Sequence, residues 1–185
     1  MKTLSGKILK LFGWEIVGKF PDIKKSVVVI APHTSNWDII LGKMFMNEMG
    51  VKNIVLVKKE LFFFPMNIIM KIFGTLPVDR YNKDNSIIYQ SVDYIKSNSE
   101  FNLVIAAEGT RQKIAMWKKG FFYIAQKAKV PIVVGYLDYK NKKLGIKTTI
   151  YNTDNVKNTM IEINEIFRNA HAKFPDNFIL DKRYS

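Results

Sequence analysis

The chain has 185 residues, 48% of them hydrophobic and 24% charged, a globular balance that suits one domain around one sizeable core and excludes a disordered polymer. Its formal net charge of +13 predicts anionic partners: nucleic acid, anionic lipid head groups or phosphorylated substrates. The lack of cysteine excludes disulfides, thiolate metal ligands and thiol nucleophiles, and the two histidines, His33 and His171, argue against a histidine-rich zinc site.

Along the chain, residues 3–18 read as a short amphipathic helix, with Leu4, Ile8, Leu11, Phe12 and Ile16 at helical spacing and Lys2, Lys7, Lys10 and Lys19 flanking them; Gly6 and Gly13 weaken the pattern. Ser26–Ala31 is a β-branched run suited to a buried strand and is stopped by Pro32. The polar turn His33–Asn36 leads into a helix from Trp37 to about Met49, and Asn53–Lys58 is a second strand. The apolar segment Leu61–Phe73 is too short to span a bilayer, which takes about eighteen residues or more, and Pro65, Asn67 and Lys71 interrupt it. Thr75–Val78 is a short extended piece ending at Asp79–Arg80, and residues 83–97 suit a helix with Ile87, Ile88, Val92 and Ile95 on one side. Asn102–Ala106 is a third strong strand that runs into the polar turn Glu108–Gln112. Gly120–Ala128 begins like a helix, Pro131–Asp138 is a strand with Leu144–Tyr151 as its hairpin partner, and residues 156–171 form a last helix. Alternating strands and helices predict an α/β fold: a mostly parallel or mixed central sheet flanked by helices, with the N-terminal amphipathic helix added. The expected division is residues 1–20 as a membrane-contact helix and 21–185 as the main domain.

In such sheets chemistry gathers beyond the carboxyl ends of strands, and two of the strongest strands end at the most polar turns. The first turn places His33 in a loop and Asp38 in the first turn of a helix, five residues on. On one continuous helix that spacing puts the pair about 140° apart; the break at Thr34-Ser35-Asn36 is what lets them meet. Two readings stand. Ser35 and Asp38 resemble a capping box; alternatively the carboxylate orients an imidazole that takes protons near neutral pH. In the second turn, Gly109 permits close backbone approach, Thr110 offers a hydroxyl and Arg111 a planar fork suited to phosphate, with Glu108 placed to orient Arg111; the plain alternative is an exposed Glu–Arg pair.

Taken together and in order, these turns resemble the motifs of the lysophosphatidate acyltransferase family, the PlsC-type glycerolipid acyltransferases. His33 and Asp38 match its histidine, four residues and aspartate; Gly74-Thr75-Leu76-Pro77-Val78-Asp79-Arg80 looks like its second motif, Glu108-Gly109-Thr110-Arg111 is similar to the third and Val130-Pro131-Ile132-Val133 to the fourth. Departures are Pro32 where an Asn usually precedes the histidine, Ala106-Ala107 where Phe-Pro often precedes the Glu, and Val134 at a frequent second proline. The resemblance implies O-acylation, in phospholipid biosynthesis, of a lysophospholipid hydroxyl, foremost 1-acylglycerol-3-phosphate, from acyl-CoA or acyl carrier protein. His33 would be the general base and Asp38 its partner. Arg80, Glu108, Gly109, Thr110, Arg111 and Lys118 would hold the substrate, with no metal and no cofactor. Solubility of the acceptor then places the protein peripherally on an anionic membrane surface, on its cytoplasmic side, through the N-terminal helix and the Leu61–Phe73 segment with Phe62, Phe63, Phe64 and Met66. Alternatives are acylation of an aminoacyl lipid, a lipid-binding module without turnover, and a basic nucleic-acid-binding domain. No helix-turn-helix, zinc-finger or RNA-recognition signature supports the last, and the aromatics cluster in apolar runs instead of interleaving with basic residues, so no nucleic-acid partner is expected.

Overall fold

The computed structural model describes residues 3–72, 74–78 and 87–185. From the N-terminus these run α1 (Leu4–Leu11), β1 (Glu15–Val17), β2 (Lys25–Ala31), α2 (Trp37–Glu48), β3 (Asn53–Lys58), α3 (Met66–Ile72) and β4 (Thr75–Val78). There follow α4 (Ile87–Ser97), β5 (Phe101–Ala106), α5 (Gly120–Ala128), β6 (Ile132–Asp138), β7 (Lys143–Ile150) and α6 (Val156–Ile166), with short 3-10 turns at Lys59–Leu61 and Pro175–Asn177.

The strands form one seven-stranded sheet in the order β1-β7-β6-β2-β5-β3-β4, parallel at every pairing except the β6–β7 hairpin, so the expected mixed α/β sheet is what forms. Side chains of a strand alternate between faces, and β2 shows why its run of β-branched residues is continuous. Val27, Val29 and Ala31 enter a core with Phe121, Phe122, Met160, Ile163 and Phe167 from α5, α6 and the residue after it. Val28 enters a second core with Leu41, Phe45 and Met46 of α2 and Leu9 of α1. Both faces of the central strand are covered, which favours apolar residues from Val27 to Ala31, while the buried Ser26 is satisfied by donating to Asn102 Oδ1 at 2.8 Å.

The helix expected over 3–18 is shorter than its apolar spacing suggests. Thr3 caps it through Gly6 N–H, and it stops after Leu11 because Gly13 adopts φ 77°. There Gly13 N–H donates to Lys10 O and Trp14 N–H to Leu9 O, the paired bonds of a Schellman stop, for which a left-handed glycine is the favoured residue. Ile16, counted on the helical stripe, instead pairs with Leu144 at the edge of the sheet. α1 is tied to the end of α2 by Glu48, whose Oε2 accepts from Thr3 N–H at 2.9 Å and from its hydroxyl. Its Leu4, together with Leu11 and Phe12, remains exposed.

Of the run Leu61–Phe73, Leu61 ends a 3-10 turn and Met66–Ile72 form α3, while Phe73 lies outside the described residues; Phe63 and Phe64 are 56% and 79% exposed and so are not core. No helix among the described residues is long and apolar enough to cross a membrane.

Candidate active site

Strands β2 and β5 lie side by side with Ile30 opposite Ala106, and Ala107 N–H donates to Ile30 O. The two polar turns therefore leave the carboxyl ends of neighbouring parallel strands, next to each other. Parallel pairing of the second and fifth strands is the tertiary fact that joins motifs 75 residues apart.

Within the first turn, Asp38 both accepts from backbone N–H groups of the turn and meets the His33 ring. Its Oδ2 accepts from Thr34 and Ser35 backbone N–H at 2.8 Å each, and it lies 3.1 Å from His33 Nδ1. Its Oδ1 accepts from the Tyr139 hydroxyl at 2.6 Å. A carboxylate receiving two amide protons is an acceptor throughout, so Nδ1 of His33 is the donor and Nε2 keeps its lone pair. The Asp38 side chain is 1% exposed and that of His33 13%, which leaves the imidazole reachable.

Glu108 does not orient Arg111. It is buried, and its Oε1 accepts from the backbone N–H of His33 at 2.8 Å, while Oε2 has no partner among the described residues. Burial pushes its carboxyl up to about 7 against the pull of the His33 N–H. Arg111 is exposed and reaches across to Asn36 Oδ1, so the two turns are laced twice, by Glu108 beneath and Arg111 above. Gly109 adopts φ 69°, and a Cβ there would stand 2.9 Å from Lys118 Cγ. Glycine is thus required both by conformation and by the close passage of Lys118. Thr110 Oγ1 accepts from Gln112 N–H at 3.3 Å within the same turn. Arg80 and Asp79 lie outside the described residues.

His33 and Asp38 open onto a cavity of about 750 Å³. Its walls are mainly apolar: Val28, Ile30 and Val104 from the sheet, Phe45 and Met46 from α2, and Leu144 and Ile146 from β7, with Lys118 and Lys119 among its cationic residues. Gly42, one helical turn beyond Asp38, also lines it, and a Cβ at that position would touch nothing within 4 Å. Lys43 lines it too; its ammonium donates to Asn53 O and Gly74 O at 3.2 and 3.3 Å, and burial lowers its pKa to about 8.

The fold holds a second histidine–carboxylate pair, His171 Nδ1 with buried Asp138 at 3.3 Å. Neither lines the cavity, and Asp138 is already occupied by Tyr136, Asn141 and His171. Pairing alone therefore does not mark a site; the adjoining cavity singles out His33. Sequence reasoning missed Tyr139 and Lys43, which sit in no motif, and misassigned the partner of Glu108. The signal for Glu108 was available: a lone acid following five strand residues and two alanines is placed to be buried. Among the described residues no group of three or more His, Asp or Glu is placed to hold a metal.

Comparison with known proteins gives the family and the fold. The chain is 34% identical over 128 residues to acl-2 of Caenorhabditis elegans, named for 1-acyl-sn-glycerol-3-phosphate acyl transfer, a match covering 64% of this chain and 43% of that protein. It is 32% identical over 142 residues to the 1-acyl-sn-glycerol-3-phosphate acyltransferase of Saccharomyces cerevisiae, covering 72% of this chain and 44% of the relative. The chain thus spans less than half the length of these curated relatives. The crystal structure of PlsC, the 1-acyl-sn-glycerophosphate acyltransferase of Thermotoga maritima, superposes with a TM-score of 0.61 at 16% identity, over 88% of this chain and 73% of that one, and so shares the fold. The family model described as Acyltransferase matches residues 14–136, a span that begins just after α1 and takes in both polar turns and the strands that carry them; the chain belongs to the acyltransferase family.

Proposed function

We propose that this domain moves a fatty acyl group from a thioester, acyl-CoA or acyl carrier protein, onto the free hydroxyl of a lysophospholipid, 1-acylglycerol-3-phosphate first among them. The observation that carries this reading is the His33–Asp38 pair at the edge of a large apolar cavity with cationic side chains beside it. The acceptor oxygen attacks the thioester carbonyl as His33 Nε2 takes its proton. Asp38 stabilises the imidazolium, and collapse of the tetrahedral intermediate breaks the C–S bond, the imidazolium returning the proton to the departing thiolate. No acyl-enzyme is needed. Arg111, Lys118 and, outside the described residues, Arg80 are the groups assigned to the acceptor phosphate, Arg111 because its fork matches two phosphate oxygens. Glu108, Gly109 and Thr110 serve by shaping the turn that presents Arg111. The exposed Leu4, Leu11, Phe12, Phe63, Phe64 and Ile68, with the lysines around them, support peripheral seating on an anionic bilayer at its cytoplasmic side, with residues 1–20 as the contact segment.

The test is purified protein on anionic vesicles with a panel of lysolipids and both donor types, products read by mass spectrometry. Acylation of 1-acylglycerol-3-phosphate is expected, with Arg111→Ala raising KM for that acceptor about tenfold. Acylation of an aminoacyl lipid with no preference for a phosphorylated acceptor would overturn the reading.

The cavity itself supports acyl-chain binding. A glycine inside a helix costs roughly 0.5–1 kcal/mol relative to alanine, and at Gly42 the absent side chain leaves the passage beyond Asp38 open. Gly42→Leu is expected to shift the product distribution towards shorter acyl chains while Gly42→Ala raises Tm. The check is product chain length from a mixed thioester pool; an unchanged distribution in Gly42→Leu would remove the cavity from substrate binding.

A further inference from the structure

We infer that Tyr139 is a positioning residue for acyl transfer, acting on His33 through Asp38; the inference rests on the function proposed above. Tyr139 follows β6 and lies 101 residues beyond Asp38 in sequence, yet its hydroxyl donates to Asp38 Oδ1 at 2.6 Å. Among the described residues, three donors besides this one address Asp38: two backbone N–H groups and the imidazole, all on Oδ2. Tyr139 is the donor recorded on Oδ1, so it sets how the carboxylate plane is turned towards the ring. Its own geometry is fixed from two sides. Trp14 meets the phenol ring edge-on at 5.3 Å and 83°, and Tyr139 N–H donates to His171 O at 2.9 Å. Trp14 is in turn held by the Schellman stop of α1 and by the adjoining β1–β7 pairing. Burial and the bond to Asp38 both push the phenol above its ordinary range, so it stays a donor at working pH. Tyr139 does not line the cavity, so it touches Asp38 and not the acyl group.

The phenol is a neutral donor that draws carboxylate charge away from the imidazole. Tyr139→Phe leaves Oδ1 without it, and the charge on Asp38 then favours the protonated ring more strongly. The groups facing the pair are Glu108 from the β5 turn, Arg111 over Asn36, and Lys43, Lys118 and Lys119 at the cavity; none is altered by the substitution. Steady-state kinetics on anionic vesicles from pH 5 to 9, using the full chain, are the test, with His33→Gln alongside. Tyr139→Phe is expected to lower kcat about tenfold with KM for the donor within about twofold, and to move the acidic limb of the kcat profile to higher pH. Trp14→Phe, which keeps an aromatic edge, is expected to retain activity, and Trp14→Ala to reproduce a weaker form of the Tyr139→Phe profile. A folded Tyr139→Phe with wild-type kcat and an unmoved acidic limb, while His33→Gln is inactive, would overturn this inference alone. Activity surviving in His33→Gln would instead overturn the function on which it rests.

Discussion

Replacing His33 with glutamine is expected to lower kcat by about 10²–10⁴-fold while leaving vesicle binding unchanged. A lipid alcohol is a poor nucleophile at neutral pH and the thioester is already activated, so removal of the alcohol proton is the step that needs help. Among the described residues Nε2 is the acceptor left at the exposed edge of the pair, because Nδ1 is spent on Asp38 and Glu108 is buried, with Oε1 held by the His33 backbone. Glutamine fills similar space and retains a polar end, yet it takes no proton. The ring lies outside both apolar clusters, so folding is expected to survive, which circular dichroism and Tm establish before kinetics. Near-normal turnover in a folded His33→Gln protein would remove the proposed base.

Glutamine in place of Glu108 is expected to stabilise the fold, and to do so in a pH-dependent way. Burial raises this carboxyl from 4.5 to about 7, and one of its oxygens has no partner among the described residues. An acid whose folded-state value lies above its unfolded value holds its proton more tightly when folded. Stability therefore falls as pH rises from 4.5 towards 7, and the full cost is present above 7. At 1.36 kcal/mol per unit that cost is about 3 kcal/mol, or roughly 6–12 °C in Tm for a domain of this size. Glu108→Gln removes it while its carbonyl still accepts from His33 N–H, so the two proteins are expected to melt alike near pH 4.5 and to diverge by pH 8. An equal difference at both ends would contradict the assignment. A buried, proton-binding acid beneath the His33 turn is the kind of stability cost that functional sites retain.

The division between local and tertiary information is clear in particular residues. Ser26–Ala31, Asn53–Lys58 and Asn102–Ala106 were readable as strands, and each falls within an observed one, because short runs dominated by apolar, β-branched residues admit few other fates. The spacing from His33 to Asp38 was equally legible, since the pair is closed within one turn and its geometry is local. The N-terminal helix was overextended because apolar spacing carried on through Ile16, while the left-handed Gly13 and the free edge of β7 drew that residue into the sheet.

By itself, then, the sequence determined the α/β alternation, the two polar turns beyond strong strands, the motif order and the cationic character. Only the tertiary structure decided that Glu108 buries itself under His33, that Arg111 spans to Asn36, that Tyr139 reaches Asp38, and that an apolar cavity runs from the dyad past Gly42. The physical reason is range. Periodicity, turn chemistry and capping act over a few residues, whereas the partner of a buried carboxylate is set by which strands lie side by side, and that follows from the packing of the whole sheet.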